Sequence, residues 1–598
     1  MRKIPSITYI LCLCIVCFYG CHTAYAQQNV PRVNHTVLLN NQSRIVPLRA
    51  LQDRRIAHIA NIDEQTLSLF GELLDRYAPI DHFAIPTNTE SYGKLDERLK
   101  FYNTLILAVN GKDLGNKRLL QFINTQAIGK QVILAVFGDG TKLGGLDFVR
   151  FPILWNPELT EEAASHAAMS VFGGIACTAR LPQSFSTKYA AGAGFTTEQT
   201  RLAYTDAALL GIDAQHLGAS IDTIVEEAIR ERATPGAVVM VVKNGKVIFE
   251  KAYGYHTYDR LTPTEVSNIF DLASLTKIMA TTPSVMRLTE RGVIHLDSTM
   301  GYYLLQARNT NKNKTKLRDV MLHEAGFIPY IPFYRELKSD DLSPDSSAAY
   351  SVKVADGCYI RTGYYEEVMW STMLQSKLNA SGSYVYSDIS MYVMKEVTEH
   401  QTGFPIQDYI QQEFYRPLGM KTAGYGPRER FGRNRIVPTE NDKGFRKTLL
   451  QGYVHDQGAA MAGGIAGHAG LFATANDLAI YGQLLLNRGA YGGDRYFRAE
   501  TVDLFTSRQS ANSRRGLGFD RWDPDTSKHY PSKLASDATF GHTGYTGTCI
   551  WIDPKEQLVY IFLSNRVHPE VSTKLISLNI RGRIQDAVYE AIQAAQKN

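Results

Sequence analysis

Two stretches early in the chain, TLILAV at 104–109 and QVILAVF at 131–137, are apolar at nearly every position. A strand of that kind has no face to show to water, so it must lie in a sheet covered on both sides. RRIAHIA (54–60), HFAIP (82–86) and FPILW (151–155) read as further strands. DEQTLSLFGELLDRY (63–77), a polar stretch near 94–102, NKRLLQFINTQAIG (116–129) and LTEEAASHAAMSVFGG (159–174) read as the helices between them. Strand and helix alternating in this way predict an α/β domain, doubly wound, with a mostly parallel sheet. It contains neither GxGxxG nor a P-loop, so the sheet carries no nucleotide signal.

A Gly-rich, polar stretch at 183–212 reads as a linker, and beyond it the pattern changes. LGASIDTIVEEAIRERA (217–233) has one apolar face. AVVMVV (237–242), Asn244-Gly245 and VIFEKAYGY (247–255) spell a β-hairpin with a type I′ turn. A region of helical pattern follows. GTCIWIDP (547–554) and QLVYIFLS (557–564) then form a second antiparallel pair, and a closing helix spans 573–596. The plan is α+β, an antiparallel sheet flanked by helices with a helical subdomain. The expected division is a signal peptide at 1–26, an α/β domain at 27–182, a linker at 183–212 and a second domain at 213–598; the length of 598 residues suits more than one domain.

The first residues read as a leader. Arg2 and Lys3 precede an apolar run, Ile7 to Tyr19, that is too short to span a bilayer, and Ala24-Tyr25-Ala26 offers a cleavage site after Ala26. Cys21 could serve as a lipobox cysteine, but the bulky Tyr19 disfavours lipid anchoring, so a periplasmic or secreted protein is expected. Four of the seven cysteines fall in this leader; Cys177, Cys358 and Cys549 are too few and too scattered for a disulfide framework or a zinc site. The net charge of +5 includes Arg2 and Lys3, and what remains is too weak a bias to argue for nucleic acid.

DLASLTK (271–277) places Ser274 and Lys277 three residues apart at the start of a helical run. A serine hydroxyl needs a base at hand, and i, i+3 neighbours share a helix face. A lysine serves as that base if burial or a nearby cation destabilises its ammonium. Ser91 and Lys94 have the same spacing, but Gly93 should break the helix that such a pair needs. Downstream, YVYSDISMYVM (384–394) holds Tyr386 and Asp388, and FGHTGYTGTCIWIDP (540–554) puts His542, Thr543 and Gly544 at the start of a strand. His323, His455 and His468 lack metal-ligand spacing, so substrate contact is expected of them and no metal or cofactor is. Arg566 and His568 could hold a substrate carboxylate.

Ser-x-x-Lys, then Tyr-x-Asn/Asp, then a basic residue-Thr-Gly strand resembles the penicillin-recognising serine hydrolases, which include class C β-lactamases, DD-peptidases, esterases and amidases. MLHEAGF (321–327) and AGHAGLFATANDLAIYGQLLL (466–486) are also similar to that family, and the resemblance covers 213–598. It implies that Ser274 is acylated, that Lys277 accepts its proton, that Tyr386 shuttles a proton to the leaving group and that Asp388 bonds the lysine or the substrate. It further implies an oxyanion hole from the backbone N–H groups of Ser274 and Tyr545. His542 stands where β-lactamases carry lysine and Asp388 stands for asparagine, which puts β-lactamase activity in doubt without breaking acyl transfer.

NHTVLLNNQSRIVPLRALQDRRIAHIA and AAMSVFGGIACTARLPQSF, at the two ends of the first domain, resemble the C-terminal domain of family 3 glycoside hydrolases of the β-N-acetylglucosaminidase type, without their catalytic barrel. QGYVHDQGAAMAGGIAGHAG (451–470) and NRVHP (565–569) resemble the N-acetylmuramoyl-L-alanine amidase branch of the serine hydrolases. Together these imply a muropeptide amidase, with docking to a barrel-type glucosaminidase as a further expectation. The enzymatic alternatives are an esterase, a D-amino-acid peptidase or a weak β-lactamase on the same machinery. The non-enzymatic alternative is a cell-wall glycan binding protein.

Overall fold

The computed structural model describes residues 34–61 and 65–597. The leader, with its basic pair, Cys21 and the site after Ala26, lies outside them. No helix among the described residues is long and apolar enough to cross a membrane.

The first sheet has six strands in the spatial order Val37–Leu39, Ile153–Asn156, Gln131–Phe137, Thr104–Asn110, Ile56–Ala60 and Ile80–Ala84. All pair in parallel except the edge strand Val37–Leu39. That strand is too short to show a period and was not foreseen. The apolar runs are covered on both sides, as their composition requires. Ile106, Ala108, Ile133 and Ala135 face the helices Gln65–Leu74 and Glu161–Phe172. Leu105, Leu107, Val132 and Leu134 face Leu95, Leu99, Leu119 and Ile123 on the other side. Local chemistry sets the helix ends. The Asn116 side chain accepts from the N–H groups of Arg118 and Leu119, Thr160 caps Glu161–Phe172, and Gly173 ends it at φ 78°. Gly93 does not break its helix, which runs Thr89–Arg98. Ser91 there bonds Asn88, and Lys94 pairs with Glu90 on the surface, so the second S-x-x-K is a solvated helix face.

The stretch expected to be a linker is built into the second sheet. Ala203–Tyr204 adds in parallel beside Lys246–Gly254, while Arg201 is buried and donates to the carbonyls of Leu48 and Phe172. Composition hid this because the buried part is only a few residues long. The seven strands run Asp520–Arg521, Phe540–Thr543, Cys549–Asp553, Leu558–Ser564, Gly236–Lys243, Lys246–Gly254 and Ala203–Tyr204. Apart from the last, neighbours are antiparallel. Asn244 and Gly245 make the expected turn at φ 52° and 73°. Val238, Met240 and Val242 face the wholly buried helix Ala475–Leu486, and Val239 and Val241 face the helices Ala214–Arg230 and Ile580–Lys597. Each such side chain taken from water is worth about 1.5–3 kcal/mol. Cys177, Cys358 and Cys549 are all free thiols.

Candidate active site

Ser274 does not sit on an ordinary α-helix. The strand Phe270–Asp271 pairs with Phe472–Ala473 and leads into a tight turn in which Ala273 takes φ 47°. The buried Asp271 carboxylate holds that turn by accepting from the N–H groups of Ala273 and His455, and burial pushes its pKa up to about 6. Lys277 then opens a wide π-helical turn, Lys277–Thr281, ahead of the α-helix Thr282–Glu290. Tyr481 and Tyr415 donate to the carbonyls of Ile278 and Met279, and Thr281 donates to Gly467 O. A π turn of this kind commonly marks a functional position.

The turn aims Lys277 at the serine. Its Nζ, fully buried, donates to Ser274 Oγ at 2.9 Å, to Asp388 Oδ1 at 2.8 Å and to His468 O at 3.4 Å, and lies 4.8 Å from the centre of the Tyr386 ring. Burial lowers the lysine's pKa, but the Asp388 carboxylate and the Tyr386 hydroxyl overcome it, and the net shift is upward. The net effect favours the charged ammonium of Lys277 at rest, so burial alone does not make it the free base. Asp388 heads the helix Ile389–Thr402 but makes no side-chain cap, because its carboxylate is turned to the lysine.

His323, itself at φ 57°, positions the Tyr386 segment. It accepts from Val385 N–H through its carbonyl and from Ser387 N–H through Nδ1, with its ring 4.8 Å from that of Tyr386. Its Nε2 has no partner among the described residues. His542 is buried beside Tyr386; its Nδ1 donates to Thr543 O, and its Nε2 accepts from Arg515 Nη2 at 3.4 Å. Burial and the charges of Arg515 and Lys277 hold its pKa at about 3, so it is neutral and cannot supply the positive charge of the family's lysine. Arg515 lies behind His542, ion-paired with Asp520 at 3.6 Å. It is 1% exposed and sits 5.8 Å from the Tyr386 ring centre. The sequence reading missed it; its only signal was the Arg514-Arg515 pair ahead of Gly516-Leu517-Gly518.

The strand Phe540–Thr543 brings His542, Thr543 and Gly544 against the serine turn. Thr546 Oγ1 donates to Asp271 O at 2.7 Å and Thr548 Oγ1 to Leu272 O at 3.2 Å. Gly544 is required at this crossing, since a Cβ there would lie 2.1 Å from Thr548 Oγ1 and 2.5 Å from Leu272 O. Among the described residues the backbone N–H groups of Ser274 and Tyr545 donate to no protein acceptor, which leaves both for an oxyanion.

The remaining expected residues lie around this core. Arg566 bonds the loop beside the site. Its Nε donates to Tyr545 O and its Nη1 to Ser572 O, so it fixes the Tyr545 loop. His455 packs on the Tyr545 ring at 5.3 Å and meets Glu440 at 3.3 Å. Burial raises the Glu440 pKa to about 7 and lowers that of His455 to about 4, so both are neutral in between. His568 is buried away from these contacts, its Nδ1 without a partner among the described residues. His468 Nε2 bonds Asp456 Oδ1 at 3.0 Å. Asp388, Asp456 and His468 bring potential metal-ligand atoms within 4.8 Å of one another, but the Lys277 ammonium already takes a cation's place at Asp388.

A family model described as beta-lactamase matches residues 221–582. An N-acetylmuramyl-L-alanine amidase of Bacillus subtilis is 31% identical over 411 residues, which cover 62% of this chain and 88% of that protein. A protein of Escherichia coli K12, named provisionally as a D-alanyl-D-alanine carboxypeptidase, is 30% identical over 393 residues, 60% of this chain and 87% of its own. Among solved structures, a penicillin-binding protein homologue from Caulobacter crescentus aligns with 64% of this chain and 98% of its own at 16% identity and a TM-score of 0.47.

Proposed function

This chain belongs to the beta-lactamase family of serine hydrolases, and from that premise we propose that it cleaves the amide between N-acetylmuramic acid and the L-Ala of a peptidoglycan stem peptide. The observation that carries the chemistry is the contact of Lys277 Nζ with Ser274 Oγ at 2.9 Å. The bond assignment draws on the amidase relative, together with the resemblance of residues 451–470 and 565–569 to that branch.

In this reading Ser274 Oγ attacks the lactyl carbonyl carbon, and the oxygen's developing charge falls to the N–H groups of Ser274 and Tyr545. Because Lys277 is charged at rest, it must shed a proton before it can take one, and Asp388 at 2.8 Å is the acceptor in contact. The serine proton then passes through Lys277 and Tyr386 to the departing amine of L-Ala as the C–N bond breaks. Water attacks the ester left on Ser274, releasing the muramic acid. The residues act without a metal or cofactor.

A second reading, a D-amino-acid peptidase, is favoured by the carboxypeptidase relative. Both readings suit a peptidoglycan fragment, and both suit a leader that sends the chain to the periplasm or outside the cell. The first domain is read as a scaffold related to the family 3 glycoside hydrolase C-terminal domain, able to dock a barrel-bearing glucosaminidase. Incubation with N-acetylmuramoyl-L-Ala-D-Glu, followed by mass spectrometry, tests the substrate. Release of the dipeptide by wild type and not by Ser274→Ala is expected. Release of terminal D-Ala from a pentapeptide without muramoyl cleavage would replace the first reading by the second.

A further inference from the structure

Apart from the serine site, the protein has a cavity of about 1070 Å³ where the first domain meets the helical part of the second. That is at the upper end of the size of small-molecule sites, about 300–1,000 Å³. Leu51, Gln52 and Pro79 come from the first domain, and Gln407, Gln411 and Tyr425 from the second. Ser274, Lys277, Tyr386 and His542 do not line it.

Its charge is one-sided. Arg54, Lys353, Arg416, Lys421, Arg428 and Arg430 line it, against Asp408 and Glu429. Lys353 and Arg428 share the single carboxylate of Asp356. The other four have no carboxylate in ion-pair contact among the described residues. Arg54 donates to Arg49 O, Thr104 Oγ1 and Gln131 Oε1. Lys421 donates to Asp75 O, and Arg430 to Thr422 O and Ala423 O. Arg416 makes no side-chain bond among the described residues and is exposed. Burial holds Arg54, Lys421 and Arg430 below their ordinary pKa, although Asp53, Asp75, Asp477 and Glu429 nearby partly offset it. Guanidinium and ammonium groups that line a cavity without a direct carboxylate partner keep donors free for an anion.

We propose that this cavity is a second ligand site, distinct from the serine site, that binds a small polyanion bearing carboxylate or phosphate groups. Titration calorimetry on the full chain tests it, with tricarballylate as the carboxylate probe and inorganic pyrophosphate as the phosphate probe. Saturable binding of one or both is expected, equal in wild type and Ser274→Ala. Arg416→Gln and Arg430→Gln should each weaken it by about tenfold, the loss of one charge-assisted hydrogen bond. Arg416→Gln removes no protein contact, so it reads binding without threatening the fold. Binding of tricarballylate alone would assign a carboxylate ligand, and of pyrophosphate alone a phosphate. Absence of saturable binding by either probe, or binding that both variants keep in full, would overturn the proposal.

Discussion

Asp388 decides the protonation of the site. Lys277 is buried, which alone would make it neutral, yet the carboxylate 2.8 Å away keeps it charged. Replacing Asp388 with asparagine removes the larger of the two groups that oppose burial, leaving only Tyr386, and lowers the lysine's pKa. The limb of the kcat/KM profile that reports Lys277 deprotonation should then move to lower pH by about one unit or more. A limb that stays in place in Asp388→Asn would show that another group controls it. The sequence named Ser274, Lys277, Tyr386, Asp388 and His542 because each belongs to a motif of fixed spacing. It could not give their charges. The contact between Lys277 and Asp388, 111 residues apart, sets the lysine's charge, and its geometry is visible only in the fold. Arg515 was illegible for the same reason, since it meets His542 only through the fold.

At the scale of elements, the site is the crossing of two backbones, the turn at Asp271–Ser274 and the end of the strand Phe540–Thr543. Gly544 lets them meet, and Thr546 and Thr548 bond them together. Gly544→Ala must push them apart. We expect a loss of about 1–3 kcal/mol in stability from the overpacking, with a fall of about a hundredfold or more in kcat as the two oxyanion donors separate. Urea unfolding and steady-state kinetics measure the two effects, and an alanine variant with wild-type kcat would mean the crossing is not what aligns the donors. The continuous apolar runs were read correctly as strands covered on both faces, but such runs do not give strand direction. TLILAV lies in a parallel sheet, whereas AVVMVV, equally apolar, lies in an antiparallel one because helices cover both of its faces too. The π turn at Lys277–Thr281 left no trace in the sequence, since the carbonyls of Ile278 and Met279 find their tyrosine partners only in three dimensions.

Across the whole molecule, the two sheets are held by more than a tether. Tyr77 Oη donates to Leu202 O, Arg76 pairs with Glu250, and Asn476 bonds Tyr204 and Arg76 O. The polar composition of 183–212 concealed this, because the buried run Arg201, Leu202 and Ala203 is short and set among exposed polar residues. The Glu440 contribution to stability should also depend on pH in an uncommon direction, opposite to that of His455 and His542, whose lowered pKa makes stability rise with pH. Glu440 has its pKa raised to about 7, so between its ordinary value and 7 the folded chain holds a proton that the unfolded chain has released. The folded state is favoured below that window and loses stability as pH rises through it, by about 3 kcal/mol at most. Glu440→Gln should remove this falling contribution, so that Tm followed from pH 4.5 to 8 changes more steeply upward than in wild type. An unchanged slope would place the titration elsewhere.

The central claim is that Ser274 carries the acyl group. Mixing the protein with N-acetylmuramoyl-L-Ala-D-Glu, quenching in acid and mapping the digest by mass spectrometry tests it directly. The account predicts an added N-acetylmuramoyl mass on the peptide that contains DLASLTK, absent from Ser274→Ala. Dipeptide release by Ser274→Ala at the wild-type rate, or an adduct on any other residue, would contradict it.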